Sequence, residues 1–468
     1  MSTQSYENWS REDLIKRLTR LDSQLAATGT VNASKKAAKP RRDTTGDRPF
    51  DFKSYPRRKI ALKFCYSGWE YNGLVFQDHP TPLCTVESVL FDALATLRLI
   101  DPEEGPKGCD WERCGRTDVG VSAAGQVVSL WVRKEIRYVS FLNNVLPPTI
   151  RVLAWSPVSP SFSSRFACKH RHYKYFFHGN GLNVSAMRDA ASRLLGEHDF
   201  RNLCKLDPSK QITSFKRKIL RADISSAPIL DSQTSDDTAS QTYVFDLIGT
   251  AFLYHQVRHI MGVLFLIGSG LEPPSVMTAL LNTDKTAPYP PGQDGEPVPD
   301  VVDCKPEYQM ADGLPLMLWD CAYSEDDVKW RGDDGAFRHP PEPSDSQTDE
   351  RSTKNGETHL YNQVQSIHSR SLIHSALDAH FLRAASIFHP PPPVHLPLSA
   401  PLTNSNAPFT LRVPLGGGMY RHCSSRSYIP LLRRKRLEPV EVVNERWRVG
   451  KGGRRAVKRN GDDDDGLE

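Results

Sequence analysis

The chain has 468 residues, 38% apolar and 25% charged, with 60 Lys and Arg against 55 Asp and Glu for a formal net charge of +5. At roughly 100–200 residues per domain this length allows two or three compact units, or two with tails, and the composition excludes a collagen or a wholly disordered chain. Its longest strongly apolar stretch, 263–267, falls far short of the roughly 20 residues that span a bilayer, and residues 1–10 carry no basic-then-apolar leader, so neither a membrane nor secretion is expected.

Residues 1–56 read as an arm. Leu14, Leu18, Leu21 and Leu25 share one face of a short helix, and Lys35, Lys36, Lys39, Arg41 and Arg42 form a basic linker. From 57 to 158 the pattern is globular. Ile60, Leu62, Phe64 and Tyr66 alternate as a half-buried strand; Val86, Val89, Leu90, Ala93, Leu94 and Leu97 follow helical spacing behind Thr85 as an N-cap; Val128, Leu130 and Val132 alternate again, and 152–155 adds a strand. A second subdomain, 159–330, repeats the style. Tyr173, Tyr175 and Phe177 form one strand face, Met187, Ala190, Ala191, Leu194 and Leu195 a helix face ended by Gly196, and Tyr243, Phe245 and Leu247 a later strand. Val257, Ile260, Met261 and Leu264 mark the inward face of a helix over 254–267. Strands and helices mixed without regular alternation point to an α+β fold with largely antiparallel sheets.

Beyond that, 322–352 holds nine acidic and four basic residues, and 331–372 reads as a disordered acidic insertion. An extension follows at 373–448, with a polyproline spacer at 390–393, and a basic-then-acidic tail at 449–468. Residues 225–240 read as a polar loop. Thirteen Lys and Arg against three Glu in 421–460 cluster the charge as a surface for phosphate would require.

The stretch richest in chemistry is Cys114-Gly115-Arg116-Thr117-Asp118-Val119-Gly120-Val121-Ser122-Ala123. Gly and Asp build turns in any protein, so the motif alone leaves a plain turn open. It also fits a nucleophilic carboxylate in a tight loop, with glycines that let the backbone approach a ligand closely.

Here the sequence resembles the TruA-type tRNA pseudouridine synthases. The resemblance rests on Gly115-Arg116-Thr117-Asp118 with Gly120-Val121, on Tyr66-Ser67-Gly68 with Tyr71, Gly73 and Gln77, and on Phe162, Arg165 and Phe166 leading into Arg171, Tyr173 and Tyr175. It continues through Gly196-x-His198-Asp199-Phe200, Phe252-Leu253-x-His255-Gln256-x-Arg258 and Gly313-Leu314-Pro315-Leu316, in the family's order across 59–325. Asn144-Val145-Leu146-Pro147-Pro148 and Tyr428-Ile429-Pro430-Leu431-Leu432 are most similar to the eukaryotic branch that modifies tRNA positions 38 and 39. Ser122 and Leu74 depart from the bacterial pattern at positions not expected to do chemistry.

The resemblance implies the pseudouridine synthase fold, with two pseudo-related subdomains whose sheets join around a central active-site cleft and helices on the outer faces. It makes Asp118 the nucleophile, Arg258 its salt-bridge partner, Tyr173 the ring that stacks on the base and accepts the C5 proton, and Arg116 the residue that helps displace the target nucleotide. Arg165, Arg171, Lys174 and His255 are read as substrate-binding, in a stretch where basic and aromatic residues interleave for salt-sensitive phosphate contact. The reaction breaks the C1′–N1 bond, rotates the uracil and rejoins it through C5; nothing is oxidised, so no cofactor is expected. The expected partner is tRNA through its anticodon stem-loop, with other RNAs left open, a homodimer as assembly, and nucleus and cytoplasm as location.

Three decoys compete with this reading, and two of them are brief: Gly416-Gly417-Gly418 lacks the Lys-Ser/Thr of a phosphate loop, and Asp462-Asp463-Asp464-Asp465 reads as a solvating tail. His255 and His259 have the i, i+4 spacing of a zinc helix, but Gln256 stands where such a protease needs Glu, so no metal is expected there. Nine cysteines without a C-x-x-C pair argue against a disulfide framework or zinc ribbon and for a reducing compartment. An RNA-binding or RNA-folding protein without catalysis, a synthase of other site specificity, and a hydrolytic N-glycosidase are the alternatives; the last usually needs two carboxylates, and the motif supplies one.

Overall fold

Strand β1 (Arg57–Tyr66) carries the alternation of Ile60, Leu62, Phe64 and Tyr66 into a computed structural model that describes residues 50–77, 79–135, 137–227, 242–286, 298–333, 358–389, 410–424 and 427–452. The chain divides between Asp51 and Phe52, near the expected end of the arm, and everything below concerns the second unit, Phe52–Glu468. The Leu-rich helix, the basic linker, the polyproline spacer, the acidic tail and most of the polar loop lie outside the described residues.

After β1 come α1 (Val86–Thr96), β2 (Glu112–Arg113), β3 (Ser122–Arg133), α2 (Tyr138–Val145) and β4 (Ile150–Pro157). Thr85 caps α1 as its sequence requires, its side chain accepting from the Ser88 N–H at 3.2 Å. The second half supplies β5 (His170–His178), α3 (Val184–Ser192), β6 (Gly196–Asp199), β7 (Lys216–Ser226), β8 (Thr242–Gly249), α4 (Gln256–Gly268), α5 (Ser275–Leu281) and β9 (Leu316–Ala322). All nine strands join one sheet, in the order β4-β1-β3-β9-β5-β8-β7-β6 with β2 beside β3. Every pairing is antiparallel except β3 with β9, which is parallel and only two pairs long, Ser122 with Met317 and Ala123 with Leu318. That short seam is where the halves meet.

One cross-strand row runs through it: Tyr66, Ala123, Leu318, Tyr173, Leu247 and Ala222 are successive partners, and all are buried. Helices pack on this face in both halves. Tyr138 of α2 meets Trp155 edge-on at 4.9 Å, and Phe265 of α4 meets Tyr175 and Phe177 at 6.1 and 5.8 Å. The opposite face is more polar, with Lys63 on Asp320 and His172 on Asp246.

The acidic segment departs from its expectation at both ends. Asp333 is ordered, accepting from the N–H groups of Val139 and Ser140 and so satisfying the open first turn of α2. From Thr358 to Phe388 the chain is a helix, α6, that crosses the expected boundary at 372/373. Its 31 residues contain neither Gly nor Pro, which lets helix propensity prevail although nothing in the stripe is strongly one-sided. A hairpin of β10 (Thr410–Gly416) and β11 (Met419–Ser424) and a helix, α7 (Val440–Trp447), that runs on into a π-helical turn at Arg448–Gly452 complete the described chain. Among the described residues, no helix is long and apolar enough to cross a membrane.

Candidate active site

The loop that carries Asp118 leaves β2 and enters β3, and the first half holds it from several sides. The Tyr66 and Thr117 hydroxyls meet at 2.6 Å, Leu74 N–H donates to the Thr117 carbonyl at 3.3 Å, and Gln126 Nε2 donates to Gly115 O at 3.0 Å. Val121 N–H closes a turn on the Asp118 carbonyl at 3.2 Å, with Gly120 at φ +83°. Gly68 lies so close beneath β3 that a Cβ there would stand 2.1 Å from Val121 O. These contacts leave the Asp118 side chain 29% exposed at the rim of the sheet.

The second half brings two basic side chains to it. His255 caps α4 from the left-handed region, φ +58°, and Gln256 reaches back to accept from Leu253 N–H at 2.8 Å. From this turn His255 Nε2 reaches Asp118 Oδ2 at 3.1 Å, and Arg258, one turn of helix further on, brings Nη1 to the same oxygen at 3.7 Å. A carboxylate at a helix N-terminus also gains from the helix dipole. Arg258 is fixed from behind: its Nε donates to Ala311 O at 2.8 Å, and Ala311 N–H donates back to Arg258 O at 3.0 Å. Gly313 completes the fit, since a Cβ there would stand 3.1 Å from Val119 O and 3.6 Å from Arg258 Cζ.

Tyr173 is buried beside them, its ring edge-on to Phe252 at 5.0 Å. Burial pushes its phenol far above the usual tyrosine range, with nearby Cys321 and Asp118 adding to the effect. It therefore stays neutral at any ordinary pH. Arg116 is exposed on the loop, and Arg165 is exposed with its guanidinium 5.2 Å over the ring of Phe166, itself 79% exposed.

Two residues read as substrate-binding are placed otherwise. Arg171 lies close by, but it donates to the carbonyls of Thr250, Cys114 and Arg165 at 3.0, 3.0 and 2.9 Å. It braces three segments around the loop with both terminal nitrogens. Lys174 lies on the opposite face of β5 from Tyr173, 3.7 Å from Asp246 and 4.3 Å above the ring of Trp319. The period of two in a strand sends neighbours to opposite faces, and that removes Lys174 from the site.

The sequence reading gave no role to Tyr254, Phe252 or Thr117. Tyr254, 44% exposed, lies over the His255 ring at 3.8 Å, with Lys205 5.5 Å from its centroid. Adjacency to His255 in the motif was the available signal. His255 itself is a direct neighbour of the carboxylate, and its Nδ1 is buried without a partner among the described residues. The two histidines of the i, i+4 pair have different neighbours: His255 faces Asp118, while His259 Nε2 meets Lys305 Nζ at 3.0 Å.

A family model described as tRNA pseudouridine synthase matches residues 190–324. The chain is 40% identical over 348 residues to the tRNA pseudouridine(38/39) synthase of Saccharomyces cerevisiae, covering 69% of this chain and 72% of that protein. Against the Homo sapiens tRNA pseudouridine(38/39) synthase it is 38% identical over 346 residues, 68% of this chain and 67% of the relative. The tRNA pseudouridine synthase A of Methanosarcina mazei is 35% identical over 228 residues, 48% of this chain and 77% of its own.

Proposed function

The chain belongs to the tRNA pseudouridine synthase family, and on that premise we propose that it converts uridine to pseudouridine at tRNA positions 38 and 39, as its relatives are named for, with Asp118 as nucleophile. The observation that carries the assignment of residues is one carboxylate oxygen faced by His255 Nε2 and Arg258 Nη1 at the start of α4, with a buried tyrosine beside it.

In this reading the target uridine leaves the helical stack, at a cost of a few kcal/mol, and Arg116 fills the space it vacates. Asp118 attacks C1′ as the bond to N1 breaks, which leaves the uracil free to turn. C5 then attacks C1′ and Asp118 departs; the proton on C5 is lost and N1 regains one, so the product is an isomer of the substrate. Tyr173 lies under the base, and because burial keeps it neutral its hydroxyl relays the C5 proton rather than acting as a phenolate. Arg165 with Phe166, and Tyr254 with Lys205, offer exposed cation and ring pairs of the kind that suit an anticodon arm, where stem phosphates and splayed loop bases lie side by side. The reading extends to a homodimer, supported by the apolar side chains that α6 exposes, such as Phe381 and Leu382.

The test is site-by-site pseudouridine mapping of an anticodon stem-loop incubated with the protein or with Asp118→Ala. Conversion by the first alone is expected, with RNA binding retained by both. Equal conversion by the two would remove Asp118 from the chemistry, and no conversion by either would favour a binding protein.

A further inference from the structure

Cys114, Cys168 and Cys321 are far apart in the chain, yet their Sγ atoms all lie within 4.8 Å of one another and all three residues are buried. Their places in the fold are specific. Cys114 immediately precedes the Asp118 loop, Cys168 precedes β5, and Cys321 belongs to β9, the strand that joins the halves through two pairs only. One thiol therefore comes from the first half and two from the second, where the halves meet.

Buried cysteines often serve as small apolar groups, and such a role asks for no particular geometry. Three sulfurs converging on one point ask for more explanation, and a charged group lies beside them in the core. Arg171, the cross-strand partner of Cys321, sends Nη2 to the Cys114 carbonyl at 3.0 Å. Tyr323, two residues beyond Cys321, donates its hydroxyl to Ser164 O at 2.6 Å. We propose that Cys114, Cys168 and Cys321 form a structural zinc site that ties the two halves of the sheet together beneath the Asp118 loop.

Zinc with thiolate bonds of about 2.3 Å in tetrahedral geometry sets its sulfurs about 3.8 Å apart, so the cluster closes by no more than about 1 Å to hold it. Three soft donors select zinc or copper(I) over magnesium or calcium. Charge separates the first two. Three thiols binding Zn²⁺ release three protons and leave a net charge of −1, which the always-protonated guanidinium of Arg171 balances; copper(I) would leave −2. The three cysteines leave the fourth position to a water. Such a site fills during folding, so burial is no obstacle.

The full-length protein, purified without chelator, is assayed by metal mass spectrometry, then stripped and titrated with cobalt(II). One zinc per chain is expected, together with a thiolate-to-cobalt charge-transfer band and tetrahedral d–d bands in the visible. Cys168→Ser loses both signals and Cys304→Ser keeps both. Stripped protein that shows no cobalt–thiolate band overturns the proposal, and this measurement does not depend on any variant folding. So do signals that survive in Cys168→Ser and Cys321→Ser, copper in place of zinc, or a disulfide among the three in the protein as isolated.

Discussion

Replacing Arg258 separates the Asp118 reading from a merely basic surface. Arg258 Nη1 stands 3.7 Å from Asp118 Oδ2, with the two side chains 14% and 29% exposed. At an effective dielectric near 20 the gross attraction at that distance is about 4 kcal/mol, and solvent at the rim reduces what survives. A preorganised charged donor at a reacting centre is worth about 3 kcal/mol in the transition state, or roughly 10²–10³ in rate. Arg258→Met should therefore lower the single-turnover rate by about 10²–10³, while Arg258→Lys, which keeps the charge but loses the Nε bond to Ala311 O, should fall between it and the native chain. Tritium release from tRNA labelled at uridine C5 measures the rate, filter retention measures tRNA binding, and circular dichroism controls for folding. Because the guanidinium faces inward, binding should hardly change. A methionine variant turning over within threefold of native, or one whose whole deficit is weaker binding, would refute the role.

Arg116→Ala should slow conversion at a stem nucleotide more than at a loop nucleotide, since unstacking costs more in a duplex; equal losses at both, mapped on one substrate, would count against a wedge. Gly68→Ala places a Cβ 2.1 Å from Val121 O, a backbone clash that cannot relax cheaply, so its melting temperature should drop by several degrees and activity with it; a native-like melt would show the loop to be softer than it looks. Burial, and then the Lys305 charge, push the His259 imidazole down to about 2 from its usual 6.5. Between those values the unfolded chain binds more protons, so stability is intact above pH 6.5 and is lost as pH falls below it. By pH 5 the loss is about 2 kcal/mol, which His259→Gln should not show in urea titrations at pH 7 and 5.

Much of this was legible in local pattern. The alternation at 60–66 and 173–177 became β1 and β5, and Thr85 capped the helix it preceded, because period and capping are properties of neighbouring residues. The motif around Asp118 carried the family. What the pattern did not carry is which distant groups meet. Nothing in spacing brings His255 onto Asp118, assigns Arg171 to three carbonyls, or gathers Cys114, Cys168 and Cys321. Lys174 is a different failure, since its alternation with Tyr173 and Tyr175 already assigned it to the other face, and a count of basic residues outweighed that sign. For α6, acidic composition upstream suggested disorder, while the run from Thr358 to Phe388 without Gly or Pro was the better guide.

The position of the site follows from how the halves are joined. Asp118 belongs to the first half, and His255 and Arg258 to the cap and first turn of α4 in the second, so their separation is a property of the seam and not of either half. One short segment sets it. Ala311 exchanges two hydrogen bonds with Arg258, Gly313 packs between Val119 and the guanidinium, and Leu316, three residues on, opens β9, which pairs with β3 where the Asp118 loop ends. The segment that grips the arginine thus continues as the strand that grips the loop, and a slip of β9 by one residue would turn Leu318 out of the buried row and draw Arg258 away from the carboxylate. Two pairs of parallel strand are a short lock for such a task, and close packing reinforces it: a Cβ on Gly125 of β3 would stand 2.7 Å from Trp319 O of β9, and one on Gly68 2.1 Å from Val121 O.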